Sequence, residues 1–139
     1  MDTQSQYATK LLKVMATNHR RFDDFARQLR SRSEVSSVVS SLHPQQYSVE
    51  SMLECYVDAE LVNGKAICWW LEVTWDNTTW HIETRVLVND EQGQYTIKEF
   101  PDRATETFDG FLEQFTQATV ELLANEEAIN LASRHNNSH

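Results

Sequence analysis

Only three glycines and two prolines interrupt the 139 residues, so long irregular loops are excluded and the chain is expected to run in extended regular elements. Two cysteines, Cys55 and Cys68, are too few for a disulfide scaffold. The five histidines (His19, His43, His81, His135, His139) are spread along the chain with no CxxC beside them, which argues against a structural zinc site and, with it, against any bound metal. No glycine-rich loop opens a helix after a strand, so the usual phosphate cradle is missing and no cofactor is implied. No GxSxG elbow is present, and no catalytic residue stands out. No apolar run approaches the ~18 residues of a membrane helix and no secretory leader is read, so the chain is expected off the membrane in the reducing cytoplasm.

Basic charge is also scarce, and it is unevenly placed. The formal net charge is −9 and the pI about 4.9. Residues 1–32 hold seven basic residues against three acidic ones, a balance of +4; the remainder holds five against eighteen, a balance of −13. An acidic protein is a poor generic binder of nucleic acid, because phosphate contacts need cations. The asymmetry has two readings. A basic first helix can lie against acidic neighbours of its own domain, or Arg20, Arg21, Arg27 and Arg30, with Arg32, can form a patch for an anionic partner.

What is present is concentrated in Leu53–Val88, which holds all four tryptophans and both cysteines. Two-residue alternation predicts three antiparallel strands, roughly 51–61, 66–75 and 80–88. Leu53, Cys55, Val57, Ala59 and Leu61 share one face of the first, Ile67, Trp69, Leu71, Val73 and Trp75 one face of the second, and Trp80, Ile82, Thr84, Val86 and Val88 one face of the third. Asn63-Gly64 suggests a two-residue hairpin turn, but that register puts the apolar faces on opposite sides. A three-residue loop with a left-handed Gly64 brings Val57 opposite Trp69 and aligns them. In the next hairpin, pairing Trp75 with Trp80 sets Val73 on Ile82, Leu71 on Thr84 and Trp69 on Val86. The other face then pairs Thr74 with His81, Glu72 with Glu83, Trp70 with Arg85 and Cys68 with Leu87. A fourth strand, 94–100, follows the Asp90–Gly93 turn, with Tyr95 and Ile97 opposite Val88 and Val86, and Pro101 stops it.

Helical periodicity covers 7–30, where Leu11, Met15, Asn18, Phe22, Phe25, Ala26 and Leu29 make one stripe and Arg20–Asp24 and Asp23–Arg27 are expected to pair on the wet side. A short second helix is read over 34–42 from the stripe Val35, Val38, Val39 and Leu42, with Ser31 and Glu34 as a capping box. A last helix, about 104–124, carries Phe108, Phe111, Leu112, Phe115 and Leu122, with Asp102 as its cap and Gly110 allowing close packing; 126–132 can add a further turn or two. The fold expected is therefore α+β: a four-stranded antiparallel β-meander with an N-terminal helical pair and a C-terminal helix packed on one face, in the order α-α-β-β-β-β-α. It forms a single domain over 1–133, with a flexible polar tail at 134–139.

Candidate sites follow from parity. Opposite the core face, Tyr56, Trp70, Arg85 and Leu87, with Cys68, make an apolar island rimmed by acids, the composition of a partner-binding hot spot. A helix covering that face would make Trp70 core instead. Glu54, Glu72 and Glu83 lie across three strands with His81 adjacent, a group that can run acid–base chemistry or simply meet water. The two cysteines fall on opposite faces and are expected to be free.

These features lead to a non-enzymatic cytoplasmic protein–protein interaction module, of an adaptor, chaperone-like or immunity-like kind, that binds a protein partner or a second copy of itself through the outer sheet face. Small acidic helix-and-meander proteins that include secretion chaperones and immunity proteins are similar only at the level of fold. The alternative is a small-molecule binder or enzyme with an aromatic-lined pocket between sheet and helices, built from Trp69, Trp75, Trp80, Phe108 and Phe115.

Overall fold

The computed structural model describes residues 3–44 and 51–134. It is a mixed α+β domain with an antiparallel sheet. The elements run α1 (Thr3–Arg30), β1 (Val35–Pro44), β2 (Ser51–Leu61), β3 (Ala66–Trp75), β4 (Trp80–Asp90), β5 (Gly93–Glu99), β6 (Arg103–Thr105), α2 (Phe108–Leu123) and α3 (Ala128–Arg134). The sheet order is β1-β2-β3-β4-β5, with β6 added to the other half of β4. The expected sheet of four strands is therefore larger by β1 and β6.

The central register follows from the alternation. Val57 pairs with Trp69, and the whole β3–β4 ladder from Trp75–Trp80 to Cys68–Leu87 is in the expected register. The β2–β3 loop closes with Leu61 N–H donating to Lys65 O at 2.8 Å and with Gly64 at φ +91°. That left-handed angle suits glycine, which has no side chain to clash. Every inward side chain from Leu53 to Leu61 and from Ile67 to Val73 is buried, while their neighbours remain half-buried or exposed.

The expected second helix is instead β1. Three valines and four serines over 35–41 disfavour a helix, since β-branched side chains are stiff and serine competes for the backbone. In the strand, Val38, Ser40 and Leu42 stand opposite the inward Ala59, Val57 and Cys55. The positions Val38 and Leu42 satisfy helical and strand periods alike, which is why the stripe misleads. Glu34 caps nothing; its carboxylate takes two hydrogen bonds from the Arg32 guanidinium, at 3.1 and 3.3 Å.

The β4–β5 hairpin pairs Val88 with Tyr95 as expected, but a bulge then sets Val86 opposite Lys98 rather than Ile97. Tyr95 is exposed although it keeps its expected partner, and Lys98 donates to Asn125 Oδ1, just past α2, at 2.7 Å. Beyond Pro101 the chain returns to β4 as β6, because β5 pairs only with its 85–90 half and leaves Trp80–Ile82 open. This short strand displaces the start of the last helix. The cap is Thr107, whose hydroxyl accepts from Gly110 N–H at 3.0 Å, and not Asp102.

Both long helices pack on one face of the sheet, α1 on β1 and β2 and α2 on β3, β4 and β6, and they meet each other. Phe22, Phe25, Ala26 and Leu29 of α1 and Phe111, Phe115, Ala118 and Leu122 of α2 close the core around Trp69. Asn18, on the apolar stripe of α1, is fully buried; it donates to Val14 O and to Thr116 Oγ1 of α2, so the polar group is matched across the helix pair. Arg134 closes α3, and the rest of the expected tail lies outside the described residues. No helix among the described residues is long and apolar enough to cross a membrane.

Candidate functional site

The described helices lie on one side of the sheet, and strand parity decides which side chains face the other. Across β2, β3 and β4 the register stacks them in rows. Asp58, Cys68 and Leu87 make one row, Tyr56, Trp70 and Arg85 the next, and Glu54, Glu72 and Glu83 a third. Val39 of β1 extends the first row and is 58% exposed.

Trp70 is the centre. The Arg85 guanidinium lies over its ring, 4.6 Å from the centroid, as expected of a cation on a π face. Its indole N–H donates to Glu54 Oε2 at 2.9 Å. Arg85 in turn reaches Glu83 Oε2 at 3.4 Å. Trp70 is half-buried, and among the described residues no helix packs over it. The structure thus brings together Tyr56, Trp70 and Arg85 in one row, with Leu87 beside them.

Glu54, Glu72 and Glu83 are also adjacent, but His81 is not one of them. It sits a row away, opposite Thr74, and its Nε2 lies 3.0 Å from Asp76 Oδ2. Asp76 is held well below the usual carboxylate range by that histidine first and then by Thr78 and Thr79 N–H. This is a turn device: the carboxylate gathers the donors of the β3–β4 loop, whose Asn77 is left-handed at φ 80°. Among the described residues no three His, Cys, Asp or Glu side chains are placed to hold a metal ion.

Asp58 stands apart from the other acids of this face. Its row neighbours are Val39 and Cys68, which shield it without offering a strong donor. Its Oδ1 is inaccessible to solvent and has no hydrogen-bond partner among the described residues, and burial, helped by the nearby Glu60 charge, pushes its pKa up. The signal was its parity, an acid flanked by apolar partners, but Val39 could be placed there only once β1 was a strand. The Cys68 thiol is pushed up to about 12 by burial and then by the Asp58 and Glu54 charges, so it is a protonated, weak nucleophile. Cys55 is buried on the core side and is pushed higher still.

Several basic residues of α1 have partners within the domain. Arg27 pairs with Asp24 at 2.9 Å, in place of the expected Asp23, and His19 lies 3.7 Å from Asp23. Arg21 donates to Asn18 Oδ1 and Arg30 to Val38 O. Lys10 reaches Asp109, and Arg32, just after the helix, binds Glu34 and Glu126. Arg20 is exposed on the same helix.

The aromatic residues named for a pocket fill their space by stacking. Trp75 and Trp80 have centroids 4.4 Å apart, Trp80 stacks on Phe111 at 5.3 Å, and Phe111 on Phe115 at 6.0 Å. Trp69 meets Phe25 edge-on at 4.9 Å. An open groove lies elsewhere, between α1 and α2, where Arg21, Phe25, Val120 and Leu123 line it.

No protein-family model, no curated protein and no solved structure matches this chain.

Proposed function

We propose that the protein is a non-enzymatic, cytoplasmic interaction module that docks a protein partner on the outer face of its sheet, with Tyr56, Trp70, Arg85 and Leu87 as the contact centre. The observation that carries this reading is Trp70: a large indole, half-buried, with its N–H and π face already oriented by Glu54 and Arg85, on a face over which no described helix packs. An ordered aromatic surrounded by polar groups binds at little entropic cost, because its rotamer is set before the partner arrives. The protonated Cys68 and the turn-bound His81 support a binding role over a catalytic one. The mutual stacking of Trp75, Trp80, Phe111 and Phe115 weighs in the same direction, against a ligand among them.

The test compares wild type with Trp70→Ala and Leu87→Asp for partner recovery from the source cell and for self-association by sedimentation, at matched folded fraction. Loss of either association in both variants supports the reading. Association unchanged in both variants removes it.

A further inference from the structure

Resting on that reading, the geometry points to the chemistry of the partner: we infer that the outer face takes an arginine-bearing, cationic polypeptide segment and not a second copy of the same face. Glu54, Asp58, Glu60, Glu72 and Glu83 stand on this face by register, and Glu99 of β5 pairs with Arg85. Among the described residues Arg85 is the one Lys or Arg there. Lys98 and Arg103 pair with the inward positions Val86 and Ile82 and are turned to the helix side. Residues 45–50, which join β1 to β2, contain no Lys or Arg. The basic N-terminal segment, residues 3–32, lies on the opposite side of the sheet, where Lys10, Arg27 and Arg32 form ion pairs with Asp24, Glu34, Asp109 and Glu126. This segment therefore neutralises acids on its own side of the sheet and leaves those of the outer face to Arg85 among the described residues.

A two-fold dimer through the outer face would set like carboxylates against like, because each subunit presents the same patch. A cationic segment meets them with complementary charge. Arginine fits better than lysine, and the face carries the template: the Arg85 guanidinium stacks on Trp70 while reaching Glu83. A partner arginine placed on the Tyr56 side of the indole, or along the Glu54–Glu72–Glu83 row, repeats that combination of stacking and forked hydrogen bonding, which an ammonium cannot.

The experiment titrates the full chain with a synthetic oligo-arginine peptide and with an oligo-lysine peptide of equal length, by calorimetry at physiological salt. Wild type is compared with Trp70→Ala, with Glu72→Gln/Glu83→Gln, and with Glu91→Gln/Glu127→Gln as a control of equal charge change away from the face. The expected result is oligo-arginine binding that is at least ~10-fold tighter than oligo-lysine, weakened ~10-fold or more by the first two variants and less than ~2-fold by the control. Equal weakening in test and control variants, equal affinity for the two peptides, or no binding overturns the inference. Sedimentation of the same samples separates it from the broader reading. If the peptides fail but Trp70→Ala abolishes self-association, the face is an interface and its occupant is a second copy. If neither responds to Trp70→Ala, both the inference and the docking face fall.

Discussion

Trp69 and Trp70 are adjacent in the chain and point to opposite sides of the sheet, and each indole N–H is anchored on its own side. Trp69 donates to the backbone oxygen of Asn125 at 3.0 Å within the core, and Trp70 donates to the Glu54 carboxylate at 2.9 Å on the outer face. One residue fastens the α2–α3 junction to the sheet; the other is held against its neighbour strand β2 on the outer face. The division follows from the two-residue period of a strand.

Asp58 and Asp76 give opposite pH signatures. Asp58 has a raised folded pKa, so the folded state holds its proton longer than the unfolded state. Its contribution is fully present below the unfolded value of ~4 and is lost as pH rises through the folded value. Asp58→Asn is therefore expected to be more stable than wild type at neutral pH, with the gap closing as pH falls toward ~4. Asp76 is the reverse: its lowered pKa stabilises the fold above ~4 and the contribution is lost on acidification. Asp76→Asn should destabilise at neutral pH and converge with wild type in acid. Urea denaturation across pH measures both.

Gly110 allows the close approach anticipated for it, and the contact is with β6. A Cβ there would fall 2.3 Å from Thr105 Oγ1 and 2.6 Å from Thr107 Oγ1. Rotating Thr107 away would break the helix cap. Gly110→Ala should thus destabilise by ~1–2 kcal/mol although alanine gains about 1 kcal/mol in helix propensity. Thermal melts of this variant and of Gly110→Ala/Thr105→Ala decide it; the double variant removes the nearer oxygen and should recover part of the loss measured against Thr105→Ala alone.

Both cysteines are free and on opposite faces. Thiol titration without reductant should find two thiols in denatured protein. In native protein at pH 8, Cys55 should be protected and Cys68 should react far more slowly than an exposed thiol of pKa ~8.5.

Much of this was legible in the chain. The β2–β4 registers followed from one constraint, that Val57, Trp69 and Val86 share a face, and Gly64 supplied the backbone freedom the loop needs. The stripe of α1, including buried Asn18, was read from its spacing. Two elements were not. The valine and serine run at 35–42 fits both periods, and only the need of β2 for a partner on its open side settles it as a strand. Arg103–Thr105 has no pattern of its own; it is a strand because β5 pairs only with the 85–90 half of β4 and leaves one edge of Trp80–Ile82 open. Both are tertiary decisions, invisible in a local window. The rows around Trp70 followed from strand parity, but the buried oxygen of Asp58 required β1 to be in place.

The central claim is that Trp70 serves association and Trp69 serves folding. The direct measurement is a pair of variants, Trp69→Ala and Trp70→Ala, each followed by chemical denaturation and by binding of the partner or peptide. Trp69→Ala should cost ~3–5 kcal/mol, the range for emptying an aromatic core site. Trp70→Ala should cost well under that, about 1 kcal/mol for the lost stacking and hydrogen bond, and should abolish binding. If Trp70→Ala unfolds the protein while Trp69→Ala leaves it stable, or if Trp70→Ala binds like wild type, the account is contradicted.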